Sequence, residues 1–179
     1  MIPFRRLVLL LTVLIVTLVG CATVWLSRAG ANSVAAVKQA PPGAQPNGVS
    51  FTIHSAVDPN FCLENTASVA NPASEATMSQ CIVRDNQHWT FANAVDGSVV
   101  VVGSNGDCLT FGPGKLPTPM SVTPCTFKSA ERFYYSSAGQ IESTSGMKCL
   151  QPAQAAQNAS VFIGKCDPTD RYQIWQLGH

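Results

Sequence analysis

Charged side chains are scarce in this sequence, and acidic ones are missing altogether before residue 48. Lys, Arg, Asp and Glu make up 12% of the 179 residues, and the net charge is +1. A chain this close to neutral lacks the basic surface that nucleic-acid binding usually requires. The apolar fraction of 46% argues against a disordered chain. We therefore expect a folded protein whose partner is not a nucleic acid.

The sequence also lacks the short motifs that mark common active sites and metal sites. Its three histidines are at positions 54, 88 and 179, and it contains no His-x-x-x-His, no Gly-x-Ser-x-Gly and no glycine-rich phosphate loop. No two cysteines have the Cys-x-x-Cys spacing of a zinc site. We expect no enzyme, no metal and no cofactor, and we keep an exported enzyme with an unrecognised site as an alternative.

The amino-terminal segment is strongly apolar. Leu7 to Leu26 runs for 20 residues without a charge, and Arg5 and Arg6 precede it. About 20 apolar residues at a rise of about 1.5 Å are long enough to cross a hydrocarbon core of about 30 Å. Basic residues before such a span favour a cytoplasmic amino terminus. We predict a transmembrane helix over about residues 7–26, which places the rest of the chain outside the cytoplasm as a single-pass membrane protein.

Two other fates of the first 31 residues stay open. Ala29-Gly30-Ala31 has the small-x-small pattern of a signal-peptidase site, and cleavage there gives a secreted protein. Leu18-Val19-Gly20-Cys21 resembles a bacterial lipobox, in which Cys21 carries the lipid anchor. Residues 32–47 are rich in Pro, Gly, Ala and Gln without apolar periodicity, which predicts a linker or stalk. Residues 48–179 are the predicted folded domain.

Three repeats of about 43 residues make up this domain. Six of the seven cysteines form three pairs whose members are 19, 17 and 17 residues apart, and a Leu follows the first Cys of each pair. A large aromatic residue follows the second Cys after eight or nine residues, as Trp89, Phe133 and Trp175. The two tryptophans stand in Gln-x-Trp, with Gln87 and Gln173.

The repeats also predict the disulfides and the strands. In an exported chain, paired cysteines indicate disulfides, and the repeat symmetry favours pairing within each copy. The predicted bridges are Cys62–Cys81, Cys108–Cys125 and Cys149–Cys166. Each copy has four short extended runs between turn residues and no helical period. Three copies of four strands predict an all-β fold of about twelve strands, in which threefold closure hides the sheet edges.

One pattern is repeated over about residues 50–177, namely Cys-Leu, a second Cys after 17 to 19 residues and then Gln-x-Trp. This pattern resembles that of the ricin B-type lectin family. The resemblance implies a β-trefoil built of QxW repeats and a carbohydrate-binding function. It also implies that the aromatics of the repeat form a threefold core and that the glutamines pair with backbone groups beside it. These core residues are Gln87, Trp89, Phe133, Gln173 and Trp175.

The resemblance further implies where a sugar site lies. The family's site has an acid directly after Cys-Leu, an Asn-Gln pair before the Trp and an aromatic two residues before the second Cys. The first copy has Glu64, Asn86 and Gln87 in the polar positions, but Ser79 stands in the aromatic position. The second copy has lost the set, and the third keeps only Gln173.

The sequence therefore favours a membrane-tethered, extracytoplasmic lectin-like module that binds a carbohydrate or glycoconjugate weakly through its first copy. Another aromatic could replace the missing stacking residue, and the candidates are Phe61, His88, Tyr134, Tyr135 and Phe162. The alternative hypothesis is a β-trefoil that binds a protein partner at the cell surface, or serves a structural role, without a sugar site.

Overall fold

The computed structural model describes residues 45–46, 49–66, 74–82, 84–94 and 96–178. The predicted membrane helix over residues 7–26, the signal-peptidase pattern and the lipobox-like Cys21 lie outside them. No helix within the described ranges is long and apolar enough to cross a bilayer. By its internal contacts the chain divides into Met1–Gln39 and Ala40–His179, and every described residue belongs to the second unit.

The twelve predicted strands are present, four in each copy. A two-residue strand, β1 (Gln45–Pro46), comes before them at the end of the predicted linker and pairs with Ala92 and Asn93. The first copy contains β2 (Thr52–Ser55), β3 (Phe61–Asn65), β4 (Ser74–Gln80) and β5 (Trp89–Asn93). The second contains β6 (Val99–Gly103), β7 (Asp107–Phe111), β8 (Thr118–Pro124) and β9 (Arg132–Tyr135). The third contains β10 (Ile141–Ser143), β11 (Lys148–Pro152), β12 (Val161–Lys165) and β13 (Trp175–Gly178).

The first and last strands of the three copies follow one another around a closed barrel. Antiparallel pairing joins β5 to β6, β6 to β9, β9 to β10 and β13 to β2. Single bridges complete the other two junctions, from Phe51 to Trp89 and from Gln140 to Ile174. Because the last strand pairs with the first, closure satisfies the backbone groups that an open sheet leaves at its edges. The expected all-β fold of three copies is confirmed.

The two middle strands of each copy form a hairpin, and the three hairpins meet one another. Strand β8 pairs with β4 through Ser74 and Val122, and it pairs with β12 through Thr118 and Ile163. A bridge from Thr77 to Ser160 connects the first hairpin to the third copy. This contact between copies brings residues that are distant in the sequence to the outer face of β4.

One disulfide crosses each hairpin, and one aromatic residue of each copy fills the core. The bridges are Cys62–Cys81, Cys108–Cys125 and Cys149–Cys166, the pairs that the repeats predict. Trp89, Phe133 and Trp175 are fully buried in one apolar cluster. The indole N–H of Trp89 donates to the carbonyl of Leu63 at 3.0 Å, and that of Trp175 to Leu150 at 2.9 Å. Each tryptophan is thereby fixed to the strand that carries the first cysteine of its copy.

A 3₁₀ helix precedes each core aromatic, separated from it by one residue, and the repeat pattern does not predict these helices. The three helices are Asp85–Gln87, Ser129–Glu131 and Arg171–Gln173. The residue types predict an extended run over residues 172–177, whereas the strand β13 begins at Trp175. The difference arises because the side chain of Asp170 accepts a hydrogen bond from the backbone N–H of Tyr172 and caps the turn. These helices present the residues of the Asn-Gln positions.

Candidate functional site

The fourth residue of β3, Glu64, is half-buried on the outer side of the first hairpin and is held there by Gln87. The amide nitrogen of Gln87 donates to Glu64 Oε2 at 2.8 Å and to the carbonyl of Gln80 at 2.9 Å. Its amide oxygen accepts the backbone N–H of Ile82 at 2.9 Å. Gln87 has no exposed surface. It therefore orients the Glu64 carboxylate from inside the protein, where a ligand does not reach it.

The remaining polar groups of this site have spare hydrogen-bonding capacity. Within the described ranges, neither Glu64 Oε1 nor the half-buried side chain of Asn86 makes a hydrogen bond, and Asn86 is the chain neighbour of Gln87. Thr77 lies directly opposite Glu64 in the β3–β4 pairing, and its buried hydroxyl has no partner among the described residues. A carboxylate oxygen accepts and an amide both donates and accepts, which are the roles that sugar hydroxyl groups require.

The aromatic position of the family is filled differently in this chain. Ser79 is buried, and its hydroxyl accepts a hydrogen bond from the amide of Gln157 at 2.9 Å. Gln157 also accepts the backbone N–H of Gln80 at 3.0 Å. Gln157 belongs to the β11–β12 connection of the third copy, so a neighbouring copy occupies the place of a stacking face. The sequence shows Ser79 but gives no sign of this contact, because the two residues are 78 positions apart.

The third copy repeats the hydrogen-bond arrangement of the first copy, with a neutral amide in place of the Glu64 carboxylate. Gln173 is buried and donates both to Gln151 Oε1 and, at 2.8 Å, to the carbonyl of Lys165. Gln151 thus stands where Glu64 stands in the first copy. Gly164 replaces the aromatic, and a Cβ there would lie 3.0 Å from Gln151 Oε1. Tyr172, in the Asn position, is 37% exposed and is the chain neighbour of Gln173.

In the second copy the residues at the equivalent positions form different hydrogen bonds. Glu131 replaces the glutamine and is only 2% exposed. Its carboxylate accepts the backbone N–H and hydroxyl of Thr126 at 2.8 to 3.0 Å, and also the backbone N–H of Phe127. Thr110, in the acid position, donates to the carbonyl of Ala130 at 3.4 Å. A carboxylate accepts hydrogen bonds only, so Glu131 fixes the turn but offers no donor to hold a second acid.

The candidate aromatics of the second copy lie on β9. Tyr134 is 44% exposed and Tyr135 38%. The Tyr135 hydroxyl donates to the carbonyl of Trp175 at 3.0 Å, and burial of its ring raises its pKa above the ordinary tyrosine value. Tyr135 is therefore partly structural, which leaves Tyr134 as the freer ring of the two.

One group of three potential metal-ligating side chains occurs among the described residues. The ligand atoms of His54, Cys62 and Cys81 lie within 4.8 Å of one another. Cys62 and Cys81 are joined in a disulfide, and only a free thiolate is the metal-binding form of cysteine. His88 lies elsewhere, where its Nδ1 bonds to the carbonyl of Arg84 at 2.7 Å. The cluster around His54 is therefore a disulfide with an adjacent imidazole.

Comparison with known proteins agrees with this architecture. The model of the ricin-type beta-trefoil lectin domain matches residues 49–175. The sequence matches none of the curated proteins.

Three solved structures with a similar fold illustrate the range of proteins that contain it. The designed threefold-symmetric protein ThreeFoil has a TM-score of 0.65 and 13% identity over 73% of this chain and 98% of its own. The ricin B-like lectin of Macrolepiota procera, solved in complex with lactose, has a TM-score of 0.59 and 13% identity over 79% of this chain and 99% of its own. GalNAc-T7, solved with UDP, GalNAc and Mn²⁺, has a TM-score of 0.61 and 17% identity over 76% of this chain but only 23% of its own. At these identities the similarity concerns the fold alone.

Proposed function

The chain belongs to the ricin-type beta-trefoil lectin domain family, and we propose that it is a carbohydrate-binding module whose sugar site lies in its first copy. Glu64 is the central residue of this site, Asn86 the second polar contact and Gln87 the residue that orients the carboxylate. The observation that carries the proposal is the hydrogen bond from Gln87 to Glu64 Oε2, because it fixes the carboxylate and leaves Oε1 for a ligand. A fixed, half-buried acceptor loses little conformational entropy when a sugar hydroxyl binds to it.

The affinity of this site is expected to be low. A sugar has an apolar C–H face as well as polar edges, and an aromatic ring against that face contributes on the order of 1 kcal/mol. Ser79 and Gln157 occupy the aromatic position with a polar contact instead. We expect a millimolar dissociation constant for one site, which corresponds to about −4 kcal/mol.

A titration of the protein with galactose- and glucose-type oligosaccharides, followed by NMR or calorimetry, tests this assignment. Glu64→Ala is expected to abolish binding and Asn86→Ala to weaken it, since each leaves sugar hydroxyl groups unpaired. Glu75→Ala is the matched control, because Glu75 is an exposed acid on the adjacent strand β4. Binding that persists in both Glu64→Ala and Asn86→Ala contradicts the first-copy site.

The third copy is the second location to examine in the same titration. Gln173 supports Gln151 there as Gln87 supports Glu64, and the Tyr172 ring is more than one-third exposed. Loss of binding in Gln151→Ala or Tyr172→Ala, with no effect of Glu64→Ala, moves the site to this copy. A neutral amide is a weaker acceptor than a carboxylate, so the first copy remains the primary proposal.

A membrane tether completes the proposal. The apolar segment 7–26 and the basic pair before it favour an anchor that holds the domain outside the cytoplasm, and a secreted form or a lipid anchor at Cys21 are the alternatives. Many copies on one membrane raise the strength of binding to a multivalent surface well above the affinity of one site. Sequencing of the mature amino terminus, together with cell fractionation, separates the three forms.

A cell-surface protein-interaction module without a sugar site is the alternative function. Exposed apolar side chains such as Tyr134 and Met147, with 44% and 73% of their surfaces accessible, are contacts that such a partner would use. The absence of binding to every glycan of a broad array, by a protein shown to be folded, would support this alternative over the lectin.

A further inference from the structure

We propose that the Cys62–Cys81 bridge is a redox-active site that thiol reductants open selectively, and that the adjacent His54 makes it so. The three bridges of this domain form a natural comparison, since they close loops of 19, 17 and 17 residues in equivalent hairpins. In every copy the first cysteine is fully buried and the second is partly exposed. Access of a reductant is therefore similar at all three, and a difference in reactivity must come from their surroundings.

The surroundings differ at one position of the barrel. His54 is the register partner of Cys62 between β2 and β3. The equivalent partner of Cys108 is Val102, and that of Cys149 is Glu142. Only the first bridge thus has a hydrogen-bond-donating ring at this position.

The hydrogen bonds of His54 determine which ring nitrogen carries a proton. Nδ1 lies 2.8 Å from the carbonyl oxygen of Pro59, which can only accept, so Nδ1 is protonated. Nε2 lies 2.6 Å from the hydroxyl of Thr52, which can donate to it. Nδ1 is also 3.5 Å from Cys62 Sγ and 3.4 Å from Cys81 Sγ. The N–H that donates to the Pro59 carbonyl therefore also lies beside both sulfur atoms.

The expected reaction is thiol–disulfide exchange with a small dithiol. A thiolate of the reductant attacks the partly exposed Cys81 Sγ, the Cys62–Cys81 bond breaks, and the electron pair leaves on Cys62 Sγ. The Nδ1–H of His54, shared with the Pro59 carbonyl, stabilises this thiolate by a second, longer hydrogen bond, and a better-stabilised leaving thiolate departs faster. The second thiol of the reductant then attacks the mixed disulfide, which releases Cys81 as a thiol and the reductant in its oxidised, cyclic form.

The other two bridges lack this assistance. Cys108 lies in an apolar cluster with Val100, and Val102 and Phe127 pack against it. A thiolate is disfavoured in apolar surroundings. The register partner of Cys149 is Glu142, whose ionised carboxylate has no N–H to donate to a forming thiolate. We therefore expect both to react more slowly.

Opening of the first bridge also bears on the sugar site, and this consequence rests on the proposed function. Cys62 is two residues before Glu64 on β3, and Cys81 follows Gln80, whose carbonyl accepts a hydrogen bond from Gln87. Loss of the covalent link between these segments loosens the support of the Glu64 carboxylate. Reduction is thus expected to weaken sugar binding. Reactivity of the bridge itself can be measured without any sugar.

Timed exposure of the folded chain to dithiothreitol, followed by alkylation of free thiols and peptide mass spectrometry, tests the proposal. Cys62 and Cys81 are expected to be alkylated about tenfold faster than the other four bridged cysteines, while the domain stays folded. His54→Val, which copies the second repeat, should remove that advantage. Val102→His is the reciprocal variant and should accelerate opening of Cys108–Cys125, which keeps the test informative if His54→Val does not fold. Equal rates at the three bridges, or an unchanged advantage in His54→Val, would overturn the proposal.

Discussion

The first and second copies have the same order of strands and 3₁₀ helix, but the side chains of their turns form different hydrogen bonds. In both, one residue separates a 3₁₀ helix from a fully buried aromatic, Trp89 or Phe133. In the first copy a buried glutamine both donates and accepts, so it joins the turn to the Glu64 carboxylate. In the second copy the Glu131 carboxylate only accepts hydrogen bonds, and it accepts them from backbone N–H groups of the turn. The comparison teaches that the fold needs an acceptor at this position, whereas an acidic site needs a donor.

The largest effect is expected where the two copies are alike. Trp89→Ala and Phe133→Ala each empty a fully buried position of the common core, and each should lower the free energy of unfolding by about 3 to 5 kcal/mol. Denaturant unfolding at constant pH measures both. A loss near zero for either residue would mean that its copy does not contribute equally to the core.

Conversion of the first turn into the second is expected to have an intermediate effect. Gln87→Glu removes the donor to Glu64 and to the Gln80 carbonyl and adds a buried negative charge beside Glu64. We expect a loss of about 2 to 3 kcal/mol in the free energy of unfolding, since two acceptors lose their partner. The double variant Gln87→Glu with Glu64→Thr reproduces the pair found in the second copy and should recover part of this loss.

The reverse substitution is the control for that experiment. Glu131→Gln keeps one acceptor oxygen for the turn, replaces the other by an NH2 group, and has no acid opposite it, because Thr110 stands there. It should lower the free energy of unfolding by about 1 kcal/mol, less than Gln87→Glu, since one turn N–H loses its partner but no buried charge is added. If Gln87→Glu and Glu131→Gln lower the free energy of unfolding by the same amount, the two turns do not depend differently on a donor and an acceptor.

The smallest effect concerns the link between the two copies. Asp96, in the turn between β5 and β6, has its pKa held below the usual value, mainly by the hydrogen bond from the Ser98 hydroxyl and also by Arg132 of the second copy at 2.9 Å. A lowered folded-state pKa stabilises the fold above the unfolded pKa, and this contribution is lost as pH falls through the folded pKa. The melting temperatures of the wild type and Asp96→Asn should therefore converge from about pH 5 to about pH 2. A constant difference over that range would show that the charge of Asp96 is not involved.

The repeat pattern of the sequence was sufficient to predict the strands, but it was insufficient to predict the contacts of the candidate site. The twelve strands and the positions of the buried aromatics follow from a pattern repeated three times, because each copy must bury one apolar face against the others. The 3₁₀ helices escaped notice because three residues are too few to show a period. Gln157 was missed for a different reason, since its contact with Ser79 exists only after the first and third copies have packed together.

The sequence by itself determined that this chain has three copies with one internal disulfide each, and which residue types stand at the positions of the family's sugar site. Only the tertiary structure decided what those residues do. It buried Gln87 and joined it to the Glu64 carboxylate, placed Gln157 of the third copy against Ser79, and set His54 beside one disulfide of three. The physical reason is that strand pattern and cysteine pairing act within one copy over short stretches of chain. Hydrogen bonds and contacts between copies arise only when barrel closure brings distant side chains within about 3 Å of each other.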